Sequence, residues 1–243
     1  MDERMAKGPA VGVWKRMARW KRWTILGVAA VAVLVVAGPF VYIHVIEGKA
    51  PAPLALPSGS TTDRATGTAT ATDGEWDVAD GSIVGYRVEE VLFGQSNVAA
   101  GRTGAVTGSL IVDGSSIAAA TFTVDMTTVS SDESRRDGQF NERIMETATY
   151  PTATFELTEP ISFGTVPATG NEQTFQATGD LTMHGITRAV TFDVTGRYTG
   201  TQIQVAGSIP VPFADWSISN PSFGPVETED HGVLEFSLLF QHA

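Results

Sequence analysis

One stretch constrains the fold of this chain more than any other: Phe175 to Val194, FQATGDLTMHGITRAVTFDV. With His184 and Gly185 as a two-residue loop, Met183 stands opposite Ile186. The pairs Leu181–Arg188, Gly179–Val190, Ala177–Phe192 and Phe175–Val194 follow, and that face is apolar apart from Arg188. The other face pairs Thr182 with Thr187, Thr178 with Thr191 and Gln176 with Asp193, and only Ala189 opposite Asp180 departs from a polar pattern. A slip of one residue would exchange the two faces, so the pattern fixes the register. Glycine takes positive φ freely and histidine tolerates it better than most residues, as a primed turn requires. Such a hairpin has to bury its apolar face against more sheet.

The same period of two recurs from Gly74 onward. Val106, Gly108, Leu110 and Val112 alternate with outward neighbours, as do Phe122, Val124 and Met126. Ile203, Val205, Gly207, Ile209 and Val211 form another such row, and Leu234, Phe236, Leu238 and Phe240 the last. Trp76 to Val78, Ile83 to Val88 and Thr154 to Ile161 add shorter candidates, giving about eight or nine antiparallel strands. Ser130 to Met145 lacks alternation and opens with the capping-box pattern Ser130-x-x-Glu133, which predicts one helix lying on the sheet through Phe140, Ile144 and Met145. Tyr150-Pro151 then breaks into the next strand. The fold class is all-β: a closed or nearly closed antiparallel barrel of about eight strands with one helix, with a two-sheet sandwich as the alternative.

Ahead of this domain the composition changes twice. Residues 1–23 are basic, with seven Lys or Arg against Asp2 and Glu3, and read as a cytoplasmic N-terminus. Residues 24–46 are apolar except for Thr24 and His44 and carry no charged side chain. That length crosses a bilayer core of about 30 Å, and the basic residues before it place the later residues outside the cell membrane. No small-x-small cleavage site is evident, so the run reads as a single-pass anchor rather than a removed signal peptide. Residues 47–73 are rich in Pro, Ala, Ser, Thr and Gly and read as a disordered tether about 30 Å across. Residues 74–243 form the barrel domain.

The chain has no cysteine, which excludes disulfides, thiolate metal sites and cysteine nucleophiles. From Gly74 onward it has seven Arg, no Lys and twenty-two Asp or Glu. A surface of that sign excludes nucleic acid as a partner. No Gly-x-Ser-x-Gly elbow or other catalytic constellation is present, so no catalytic residue, metal ligand or cofactor is expected and the chain reads as a non-enzyme. Glu227, Glu229, Asp230 and His231 make an acidic loop that solvation explains better than cation binding. Arg135, Arg136, Asp137 and Arg143 are candidates for clamping an anionic head group or for a wet helix face. The inner face mixes Gly108, Ala177, Gly179 and Gly207 with phenylalanines, which leaves room either for a guest or for neighbouring rings.

Several short motifs occur in order: Trp76-Asp77-Val78, Gly108, Val124-Asp125 with Thr128-Val129, Arg136-Asp137 with Phe140, Tyr150-Pro151 with Phe155, and Gly179 to Thr187. Taken together they resemble the YceI-like family of bacterial polyisoprenoid-binding proteins. The resemblance implies an extended lipocalin-like barrel whose long apolar lumen holds a polyisoprenoid or isoprenoid quinone. On that basis Phe122, Val124, Phe155, Phe175, Gly179, Leu181, Phe192 and Phe236 are expected to line the ligand pocket, with Arg136 near the head group. The expected function is a membrane-tethered extracytoplasmic lipid-binding protein. The alternative is an acidic protein-interaction domain with a packed barrel, and pairing of two domains is left open.

Overall fold

The computed structural model of the chain describes residues 11–41, 50–58, 72–92, 94–165, 167–224 and 226–243. It divides into two units, Met1–Lys49 and Ala50–Ala243. The first holds one helix, α1 (Val11–Val41), with a basic first half and an apolar second half. The expected membrane span starts within α1, and its last part, residues 42–46, lies outside the described residues. Among the described residues no helix is long and apolar enough to cross a membrane.

The second unit is built from antiparallel strands. β1 (Gly74–Val78) and β2 (Ile83–Leu92) lie end to end, as do β3 (Gln95–Thr103) and β4 (Val106–Asp113). Because β1 pairs with β4 and β2 with β3, each couple is one long strand with a bend. At the first bend the Ser82 hydroxyl accepts a hydrogen bond from the Leu239 amide at 2.9 Å and donates one to the Ala79 carbonyl at 2.8 Å. The serine thereby occupies ladder positions that the bend would leave empty.

After β5 (Ser116–Asp125) come the two-residue β6 (Ser130–Ser131), the short helix α2 (Ser134–Gln139), β7 (Thr152–Leu157) and β8 (Ile161–Ser162). The chain finishes with β9 (Glu172–Met183), β10 (Ile186–Tyr198), β11 (Gln202–Pro212), β12 (Val226–Thr228) and β13 (His231–His242). Around the barrel the order is β1, β4, β5, β7, β9, β10, β11 and β13, and β13 returns to β1. β13 closes the ring along its length: Val233 to Ser237 pair with β2, and Phe240 to His242 with β1. Eight long strands therefore form a closed barrel.

The β9–β10 hairpin has the register expected from its sequence, from Met183 opposite Ile186 to Phe175 opposite Val194. His184 and Gly185 both have positive φ, 50° and 74°. On the wet face threonine hydroxyls meet across the strands, at 2.7 Å for Thr182–Thr187 and 3.2 Å for Thr178–Thr191.

Three features differ from the sequence expectation. The helix does not start at Ser130, because Ser130 and Ser131 pair with β3 and the Ser131 amide donates to the Asp137 carboxylate at 2.8 Å. Glu133 is itself the cap, accepting from the Arg135 amide at 3.2 Å, and α2 runs into a π turn at Phe140–Ile144 instead of a longer α-helix. The stretch expected as one strand from Thr154 to Ile161 breaks around Pro160 into β7 and β8, since proline supplies no ladder donor. Finally, residues 50–58 of the expected disordered tether lie against the barrel wall, and the tether residues 47–49 and 59–71 lie outside the described residues.

Candidate functional site

The inward side chains enclose a cavity of about 180 Å³. One end of the barrel is closed. There Phe140 from the π turn and Met145 just after it pack in the same core as Met183, Phe213 and Trp216. Phe213 and Trp216 belong to the 3₁₀ turn Phe213–Trp216, which follows β11. His184 is tied to that turn, with its Nδ1 2.9 Å from the Trp216 carbonyl. From there the cavity wall runs toward the opposite end, where Thr72, Phe163, Pro167 and Tyr198 border it.

Phe122, Val124, Phe155, Phe175, Leu181, Phe192 and Phe236 all line this cavity. They do so because their strands alternate and the β4–β5, β5–β7 and β9–β10 registers aim these positions inward. Five rings form a belt around the lumen: Phe240, Phe122, Phe155, Phe192 and Phe236, with successive centroids 5.7, 6.4, 5.5 and 5.9 Å apart. Phe163 and Phe175 make a further edge-to-face pair at 6.2 Å. Such pairs contribute about 0.5–1.5 kcal/mol each beyond the area they bury, so the belt is a structural element as well as a wall.

Gly179 does not border the cavity. An added Cβ there would lie 2.4 Å from Phe155 Cζ and 2.4 Å from the Glu156 carbonyl oxygen. Gly207 is covered in the same way by the Phe236 ring, at 2.7 Å. At these glycines the space belongs to rings across the strand, while the guest space lies inside the belt.

Arg136 does not border the cavity either. It sits on α2, its guanidinium 2.5 Å from the Asp132 carboxylate. Burial works against its charge, but the Asp132 hydrogen bond and the nearby Glu90 and Tyr86 outweigh that and raise its pKa. Tyr86 stacks on Phe140 at 5.1 Å, and burial pushes its phenol pKa up, with Asp137 and Glu90 adding to the effect and Arg136 opposing it.

The wall is almost wholly apolar. Of its lining residues only Thr72, Thr154, Arg197 and Tyr198 have a polar side-chain atom. The Tyr198 hydroxyl donates to the Gly200 carbonyl at 2.8 Å, and Arg197 is bound to Glu172 at 2.9 Å and to Gln204. Among the described residues the lumen wall offers chiefly apolar surface, and apolar surface is what it can take up. Val205, Ile209, Leu234 and Phe240 also line it and stood on the alternating inner rows of the sequence, whereas Phe163 and Pro167 come from an irregular loop with no periodicity to reveal them. At the acidic loop, His231 lies 3.0 Å from Asp230 and 3.3 Å from Glu229, and among the described residues no group of side chains has the makings of a metal site.

Fold and cavity together define a closed eight-stranded antiparallel barrel with an apolar lumen. The YceI-like domain matches residues 62–240, and the chain belongs to that family. Among solved structures it is similar to a polyisoprenoid binding domain from Saccharophagus degradans implicated in plant cell wall breakdown, at 17% identity and a TM-score of 0.55, covering 70% of this chain and 99% of that one. It is also similar to BcnA from Burkholderia cenocepacia, at 23% identity and a TM-score of 0.48, covering 63% and 95%. A YCEI protein from Campylobacter jejuni follows at 14% identity and 0.45, covering 59% and 84%. No curated protein matches the chain.

Proposed function

We propose that this chain is a membrane-tethered, extracytoplasmic lipid-binding protein that holds the tail of a polyisoprenoid or isoprenoid quinone in its barrel lumen. The observation that carries the reading is a lumen walled by phenylalanine and branched aliphatic side chains, with Arg197 and Tyr198 at its border already partnered. Each buried methylene of a guest contributes about 0.8 kcal/mol, so a few isoprene units suffice for stable retention. The chain belongs to the YceI-like family, and the similar Saccharophagus degradans domain is described as polyisoprenoid-binding. The role is binding, not catalysis.

The size of the lumen refines the proposal. A cavity of about 180 Å³ is comparable with the roughly 150 Å³ apolar cavity that takes up one benzene. A long prenyl tail therefore enters only as the belt rings swing aside, and its head group stays at the rim beside Phe163 and Tyr198. Support for the tether is the uncharged run Thr24 to Ile46 behind a basic N-terminus.

Titration of the purified chain in detergent with a long-chain isoprenoid quinone tests the ligand class. Saturable one-to-one binding that a tail-less quinone does not compete away is the expected result. Equal competition by the tail-less compound would show that the tail is not what the protein holds.

A further inference from the structure

Four outward-pointing side chains on β11 and β13 ought to meet solvent and do not: Gln204, Ala206, Glu235 and Ser237 are buried. They are neighbours, since Ala206 pairs with Ser237 and Ser208 with Glu235. Residues 50–58 lie over this patch. The Pro51 carbonyl accepts from Arg87 Nη2 at 2.6 Å, and the Ala52 carbonyl accepts from Arg102 Nη2. Further along, the Leu54 amide donates to Glu235 Oε2 at 3.0 Å, and the Pro57 carbonyl accepts from Arg197 Nη2 at 2.5 Å. Glu235 is itself held by Arg87 at 3.4 Å and Arg102 at 2.9 Å. Leu54, Leu56 and Pro57 are half-buried.

The two partners match chemically. Residues 50–57, APAPLALP, offer eight carbonyls but five amides, because proline has no N–H. The barrel answers with three arginines, which can only donate, and one carboxylate placed at an available amide. Alanine and serine at the floor let the backbone come close. A proline-rich segment is also pre-extended, so docking it sacrifices little conformational entropy.

We infer that this trough is a docking site whose occupant is the chain's own segment 50–58, and that docking sets how far the barrel can move from the membrane. The second half of the inference rests on the tethered reading above. A docked segment leaves fewer residues free between the barrel and what precedes Ala50 than an undocked one does. Arg197 both binds Pro57 and borders the cavity, so the docked segment ends at the lumen rim.

The test is hydrogen exchange on the full chain in detergent micelles, wild type against a Leu54→Asp, Leu56→Asp double variant. The variant sets a new carboxylate beside Glu235 and leaves the barrel sequence intact. Docking predicts that residues 50–58 exchange at least tenfold more slowly in the wild type, with barrel peptides identical in the two proteins. Equal exchange of residues 50–58 in both would overturn it. An alkaline wash of membranes carrying the full chain separates the two halves of the inference. A wash-resistant chain with unprotected residues 50–58 defeats the docking alone, and a washed-off chain with those residues protected defeats the tether and the reach argument alone.

Discussion

Alanine at Gly179 should destabilise the barrel, whereas alanine at Gly138 should stabilise it. At Gly179 the new Cβ would sit 2.4 Å from the Glu156 carbonyl oxygen and 2.4 Å from Phe155 Cζ. Carbon atoms pack best at about 3.5–4.0 Å, so something must move by about an ångström, and one of the two obstacles is backbone. Overpacking of this kind costs about 1–3 kcal/mol. Losing a glycine from a strand interior returns about 0.5–1 kcal/mol. The net is a loss of up to about 2.5 kcal/mol, centred on about 1 kcal/mol, which for a domain of this size lowers Tm by about 2–4 °C per kcal/mol. At Gly138, on α2, an added Cβ meets nothing within 4 Å, and the helix gains about 0.5–1 kcal/mol. Thermal unfolding of the full chain in detergent, followed by circular dichroism, reads both. Adding Phe155→Leu to Gly179→Ala should recover part of the loss, since the two positions share one contact. A Gly179→Ala protein as stable as the wild type would refute the claim that the ring, not a guest, fills that space.

Two further predictions concern pH. His231 should titrate above the usual histidine value because Asp230 hydrogen-bonds it, with Glu229 adding attraction and slight burial opposing. The pair's contribution is then full below the unfolded histidine pKa and lost as pH rises through the folded one; NMR titration should show the raised value fall in Asp230→Asn, and an unchanged value would remove Asp230 as the cause. Tyr86 should be the reluctant phenol, since burial raises its pKa. The fold keeps it neutral, so stability holds below about pH 10 and declines above it. Tm should fall less steeply with alkaline pH in Tyr86→Phe than in the wild type, and parallel curves would contradict this.

The hairpin at residues 175–194 was legible because its two faces admit one register, and the structure has that register along its length. The inner rows of β4, β5, β11 and β13 were legible for the same reason, and they supply nearly half of the lumen wall. β3 was not, because Gln95 to Thr103 mixes small and polar residues and is defined by its partners β2 and β6 rather than by its own pattern. The helix start was misplaced because the Ser130-x-x-Glu133 pattern is local, whereas the pairing of Ser130 and Ser131 with β3 comes from tertiary structure. Gly179 looked like lumen because a glycine on an inner face shows space but not what fills it. The docked segment was hidden for a related reason: its composition resembles a free linker, and its partners Arg87, Arg102, Arg197 and Glu235 are scattered along the chain.

The most direct test of the lumen reading is to find what the protein carries from the cell. The full chain, purified from bacterial membranes in a mild detergent, is weighed by native mass spectrometry and then extracted with organic solvent. The account predicts one prenyl lipid or isoprenoid quinone per chain, depleted when bulky side chains are introduced inside the ring belt. An empty chain, or a mixture of membrane lipids in proportion to their abundance and unaffected by lumen substitutions, would contradict it.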